Sequence, residues 1–112
     1  MILVDDIATY EHAPHLRHTS WCHMVSSENA EELHRMADIL GLRREWFQTR
    51  SFDHYDITPP RRAQAIKYGA VAVNSRLLLF GNYDYAKRRP KTEVPQEYLD
   101  DLANIGVIHL RK

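Results

Sequence analysis

Between Ser27 and Gly41 the chain carries a complete set of signals for one amphipathic helix. Ser27 or Asn29 can cap its start, Glu28, Glu31 and Glu32 suit the positive end of the helix dipole, and Gly41 can terminate it. The spacing predicts a helix over 28–40 with Ala30, Leu33, Met36, Ala37 and Leu40 on one stripe, His34 at its edge and Asp38 a turn further on. A single stripe of that width is stable only against another apolar surface. The neighbouring sequence supplies strand-like runs: Met1–Val4, closed by Asp5 and Asp6, and Trp21–Val25.

The rest of the chain repeats this alternation. Trp46–Gln48 and His54–Ile57 read as extended segments around a turn at 50–53. Thr58 as cap, Pro59 in the first turn and Gly69 beyond the end bracket a second helix over 59–68. Its wheel buries Pro59, Ala63, Ile66 and Ala70, flanked by Arg62, with Arg61 opposite. Ala70–Val73 and Leu77–Phe80 read as strands joined through Asn74–Arg76. A last helix over 95–105 buries Tyr98, Leu102 and Ile105, and Val107–Leu110 offers an edge strand. The expected fold is therefore α/β: one small domain over 1–112, a mixed or mostly parallel sheet and about three helices. The stretch 9–18 reads as a loop long enough to carry function.

Composition removes several functions. With 112 residues the chain suits one core. Fifteen basic residues balance fifteen acidic ones, so no long-range field draws the chain to nucleic acid or to an anionic membrane. Nucleic-acid contact would have to come from a local patch such as Lys87–Lys91 with Tyr83 and Tyr85, although a solvated loop is the more ordinary reading. Cys22 has no partner for a disulfide, and no apolar run approaches the roughly 20 residues that span a bilayer. A cytoplasmic, membrane-free protein is the expectation. There is no GxSxG elbow, P-loop, GxGxxG or HExxH.

The polar residues left over point to one site. Asp5 and Asp6 end the leading strand, where open α/β sheets bind ligands, and strand alternation makes them alternatives to each other. His54 and Asp56 flank Tyr55, so they share one face of a strand, within reach of a common proton, ligand or metal. His23 completes the catalytic candidates, and His23, His54 and Asp56 are also the candidate ligands of a divalent zinc, manganese or iron ion. Arg62 and His34 are the ligand-binding candidates, Arg62 because its fork and the helix start suit a phosphate or carboxylate. Each has a plainer reading: a strand stop, a solvated face, a helix start for Asp56, a packed surface histidine. Adjacent strand residues face apart, so Cys22 reads as a buried structural thiol rather than a nucleophile served by His23.

In order, Val4-Asp5-Asp6, Trp21-Cys22-His23-Met24, Glu32-Leu33-His34, Trp46-Phe47-Gln48, His54-Tyr55-Asp56, Arg62 and Gly69-Ala70 make one signature. It resembles domain of unknown function 4031, a family of bacterial and bacteriophage proteins, over about residues 2–73. The segment from 75 to 112 then reads as an extension. Family members often carry a small residue and an acid after the His-Met pair, where this chain has Val25-Ser26-Ser27. The resemblance implies a recurrent polar site and a bacterial or phage origin, and implies no reaction. Two functions fit these residues. The first is a small enzyme acting on a phosphate-containing substrate, a nucleotide or nucleic acid, through the His/Asp site. The second is a non-catalytic accessory module that binds a host protein, nucleic acid or small ligand, with ligand sensing without turnover as a variant of it.

Overall fold

The structure is a computed structural model that describes residues 1–9, 20–82 and 94–107. The 10–19 stretch, most of the polar segment with Tyr83, Tyr85 and the Lys87–Lys91 run, and residues 108–110 of the expected edge strand lie outside the described residues. Within them the order is β1 (Ile2–Val4), β2 (Ala8–Thr9), β3 (Ser20–Ser26), α1 (Ala30–Ile39), a 3₁₀ turn (Arg44–Trp46), β4 (Tyr55–Ile57), α2 (Pro59–Lys67), β5 (Val71–Ala72), α3 (Ser75–Gly81) and α4 (Gln96–Asn104).

The long strand β3 organises a mixed sheet. β1 and β2 pair antiparallel with successive parts of it, Val4 opposite Met24 and Ala8 opposite Trp21. β4 pairs antiparallel with the same region, Tyr55 opposite Met24, which places it on the other edge of β3. β5 runs parallel to β1. The fold is thus α/β, with a mixed five-stranded sheet and four helices among the described residues.

Strand alternation divides the core into two layers. Ile2, Val4, Cys22, Met24, Tyr55 and Ile57 face α1, packing with Leu33, Met36, Ala37 and Leu40, and with Ala65 of α2. Leu3 and Val25 face the opposite way, against Leu77 and Leu78 of α3 and Leu102 of α4. Asn29 caps α1 by accepting from the Glu32 N–H at 2.8 Å, and Gly41 leaves the helix at φ 73°, as expected of that helix.

Trp46, expected in an extended segment, instead closes the 3₁₀ turn, leaving only Gln48 of that segment in a β-bridge, to His54, and two further expectations need correction. Leu77–Phe80 is helical, because the Asn74 side chain accepts from the Leu77 N–H at 2.8 Å and starts a helix where a hairpin turn was expected. Four consecutive large apolar residues do not distinguish a buried strand from a short buried helix. On α2 the buried residue is Ala65, whereas Ala63 and Ile66 are exposed. The helix is rotated because both arginines anchor it at main-chain carbonyls, Arg61 Nε to Leu40 O at 3.2 Å and Arg62 Nε to Asp5 O at 2.8 Å.

Candidate metal centre

The end of β1, the middle of β3 and the start of β4 bring the site together on the α3 side of the sheet. Alternation carries Asp5 to the same face as Leu3, His23 to that of Val25, and His54 and Asp56 away from the Tyr55 side. His23 lies directly opposite Asp56 in the β3–β4 register. The Nε2 atoms of His23 and His54 approach Asp56 Oδ1 to 3.9 and 3.6 Å. One donor atom from each of the three residues falls within 4.8 Å of the other two.

Each member is oriented from behind. Asp5 is 1% exposed and accepts from the His23 backbone N–H at Oδ1 (2.6 Å), and from His23 Nδ1 (2.8 Å) and the Ser75 hydroxyl (3.1 Å) at Oδ2. Burial works to raise the Asp5 pKa, but the hydrogen bonds and charge of His23, with the Ser75 hydroxyl, outweigh it and hold the carboxyl below its ordinary range. An ionised Asp5 accepts, so His23 Nδ1 carries the hydrogen and Nε2 is the nitrogen that faces the cluster. His54 Nδ1 donates to the Phe52 carbonyl at 2.9 Å, since a carbonyl only accepts, and this also leaves Nε2 toward the cluster. The Phe52 ring stacks on His54 at 4.3 Å between centroids. The Gln48 side-chain amide donates to Asp56 Oδ2 at 2.7 Å, leaving Oδ1 toward the histidines.

With both imidazoles neutral, two nitrogen lone pairs and a carboxylate oxygen therefore converge, and no other donor of the described residues lies between them. Separations of 3.6 and 3.9 Å are too long for hydrogen bonds from protonated rings to Asp56. They are close to the about 3.4 Å that separates two donors at about 2.1 Å from one tetrahedral ion. The donor set fits a first-row divalent cation, and each donor has the outer-shell partner such ligands have in metalloproteins. The side chains of His23 and Asp56 are 34% and 38% exposed, so the cluster opens to solvent.

The other expected residues fall elsewhere. Asp6 is exposed, and of the two leading acids it is Asp5 that joins the site, behind His23 rather than beside the open cluster. Arg62 belongs to the α2 side, on the Asp5 carbonyl and near the buried Cys22 thiol, which burial pushes up to about 12. His34 also lies on the α1 side, its Nδ1 2.8 Å from the Tyr55 hydroxyl and its ring against Phe47. Burial lowers its pKa, helped by Arg44. His34→Ala is accordingly expected to cost about 1 kcal/mol of stability, the net worth of one hydrogen bond, in a denaturant titration. The same variant is expected to leave divalent-metal affinity unchanged, and a loss of metal binding would contradict this placement.

Sequence reasoning alone did not single out Gln48 or Ser75. Gln48 enters the sequence reading as part of an extended segment and of the family signature, with no role at the site, yet its main chain forms an antiparallel bridge with His54, which aims its side chain along Asp56. Ser75 fell in an expected hairpin turn, and only its helical start brings its hydroxyl to Asp5.

No curated protein and no solved structure matches the chain. A family profile described as "Protein of unknown function (DUF4031)" matches residues 2–81, further than the 2–73 expected, so that α3 and Ser75 fall inside the family region. The chain belongs to the DUF4031 family.

Proposed function

We propose that His23, His54 and Asp56 bind one divalent ion of the zinc, iron or manganese type, and that the protein is a small metal-dependent hydrolase. The observation that carries this reading is the convergence of three acceptor atoms, each with its outward-facing partner already satisfied. Two imidazoles in the set favour those ions over magnesium or calcium. Bound there, such an ion supplies Lewis acidity, lowering the pKa of a coordinated water and polarising an ester or phosphoryl oxygen. Three protein donors on a solvent-open cluster leave room for that chemistry, unlike closed four-ligand structural sites.

The chain's own groups set the charge. Asp56 offsets one of the ion's two positive charges, and Asp5, hydrogen-bonded to the back of His23, offsets the other. That balance favours a scissile group carrying no more than one negative charge, so among phosphate compounds it favours a diester over a dianionic monoester. Arg62, expected to hold the anion, sits with α2 on the other side of the sheet, so this reading assigns the phosphoryl group to the ion itself. Clustering of the three residues also favours an enzyme over an accessory module with polar residues spread over a binding surface.

The test is hydrolysis of bis(p-nitrophenyl) phosphate, p-nitrophenyl phosphate and p-nitrophenyl acetate by chelator-treated protein, before and after one equivalent of zinc, iron(II) or manganese. Hydrolysis of the diester or the acetate that appears only with metal, and exceeds that of the monoester, is the expected result. Metal-independent turnover, or none under any condition, contradicts the reading.

A further inference from the structure

Asp56 is the one proposed ligand with a choice of binding mode, because a carboxylate can offer one oxygen or two. Among the described residues, the neighbour that limits it is Gln48. The Gln48 side-chain amide donates to Asp56 Oδ2 at 2.7 Å, whereas Oδ1 faces His23 and His54. The donor is itself held by the backbone. Gln48 N–H donates to the His54 carbonyl, and His54 N–H to the Gln48 carbonyl, both at 2.9 Å. One residue thus grips two of the candidates, His54, just before β4, through the main chain and Asp56, within it, through the side chain.

The segment between them reinforces that grip. It closes in five residues, with Ser51 at φ 69°, a left-handed conformation that non-glycine residues seldom adopt. Its Phe52 carbonyl accepts from His54 Nδ1, and its Phe52 ring stacks on His54 and meets His23 edge-on at 5.6 Å. Gln48 and Phe52 therefore aim the two histidine–carboxylate donors of this edge without occupying the open side of the cluster.

We infer that Gln48 is a positioning residue that holds Asp56 to a single-oxygen mode and so keeps a coordination position open for water or substrate. This rests on the metal reading above. A carboxylate released from Gln48 would turn Oδ2 inward as a further donor beside the water or substrate position, crowding it and raising the coordination number from four toward five.

Cobalt(II) reports the difference, because four-coordinate cobalt absorbs visible light far more strongly than five- or six-coordinate cobalt. The wild-type protein, Gln48→Met and Gln48→Leu would be titrated with cobalt(II) after chelator treatment, with circular dichroism to identify the variants that keep the native fold. Both substitutions leave the main-chain bridge to His54 in place and remove only the N–H donor, so the second covers failure of the first to fold. The expected result is one cobalt per chain in wild type and variant alike, with the visible absorption per cobalt falling severalfold in the variant. An unchanged spectrum overturns the role of Gln48, as does loss of cobalt binding by a folded variant. Failure of the wild-type protein to bind cobalt instead overturns the metal centre itself, so the two readings fail separately.

Discussion

Replacing His54 by Gln, or Asp56 by Asn, is expected to abolish the stabilisation that zinc or cobalt confers on the wild-type protein. An ion at a hundred times its dissociation constant stabilises the folded state by about 2.7 kcal/mol. For a chain of this size that amounts to a rise in Tm on the order of 10 °C. Losing one of three donors should lower affinity by more than the about 10–100-fold typical of an outer-shell loss, which removes the rise at the same metal concentration. The informative quantity is the metal-induced increment rather than Tm itself. His54 is buried and stacked on Phe52, so its replacement also lowers the stability of the metal-free protein. A differential scanning experiment with and without metal separates the two. Retention of the full increment by the Gln variant would show that His54 Nε2 is not a ligand.

The second large effect belongs to Asp5. Asp5→Ala leaves the His23 backbone N–H, its Nδ1–H and the Ser75 hydroxyl without their acceptor at a fully buried position. Breaking a buried charged pair costs about 3–5 kcal/mol, and because the His23 ring is a third exposed we expect about 2–4 kcal/mol by urea denaturation. Affinity for zinc is expected to fall by about 10–100-fold, because nothing then fixes the tautomer that presents His23 Nε2. Asp5→Asn keeps the volume and should recover part of the stability, but its amide group turns a donor toward donors.

The same pair gives a pH signature with a definite sign. The hydrogen bond from Asp5 raises the His23 pKa above its ordinary value, against the opposing effect of burial. A raised folded-state pKa contributes stability that is complete below the unfolded imidazole value of about 6.5 and is lost as pH rises through the folded value. The depressed Asp5 pKa contributes stability that is complete above the unfolded carboxylate value of about 3.9 and is lost as pH falls through the folded one. In the metal-free protein the pair is therefore most stabilising between about pH 4 and 6.5. With zinc the trend above pH 6.5 reverses, because the ion competes with the proton on His23 Nε2 and its contribution grows as that proton leaves. Parallel pH profiles of Tm with and without zinc would contradict the assignment of His23 as a ligand.

The parts of this account that local chemistry decides were legible in the sequence. The capped α1, the period-two placement of His54 and Asp56 on one face, and the exclusive alternative between Asp5 and Asp6 follow from spacing within a few residues, whereas which of the two acids joins the site does not. His23, His54 and Asp56 were the named metal candidates, and they are the described residues whose donor atoms meet. What spacing could not give was which side of the sheet each helix covers. The wheel positions of Arg62 and His34 beside an apolar stripe, and the fork of Arg62 near a helix start, suggest the site, but both helices pack on the face opposite His23. Leu77–Phe80 reads as a strand from its apolar run, and a side-chain cap at Asn74 makes it a helix instead. Gln48 and Ser75 escaped notice because their roles depend on partners 8 and 70 residues away.

The most direct measurement is the metal content and ligand environment of the protein at neutral pH, by elemental analysis and zinc-edge X-ray absorption after loading and desalting. One zinc per chain, with two imidazole scatterers and a light-atom shell at about 2.0–2.1 Å, is the predicted result. Desalted protein without metal, or zinc retained equally by a variant lacking His23, His54 and Asp56, would contradict the metal centre.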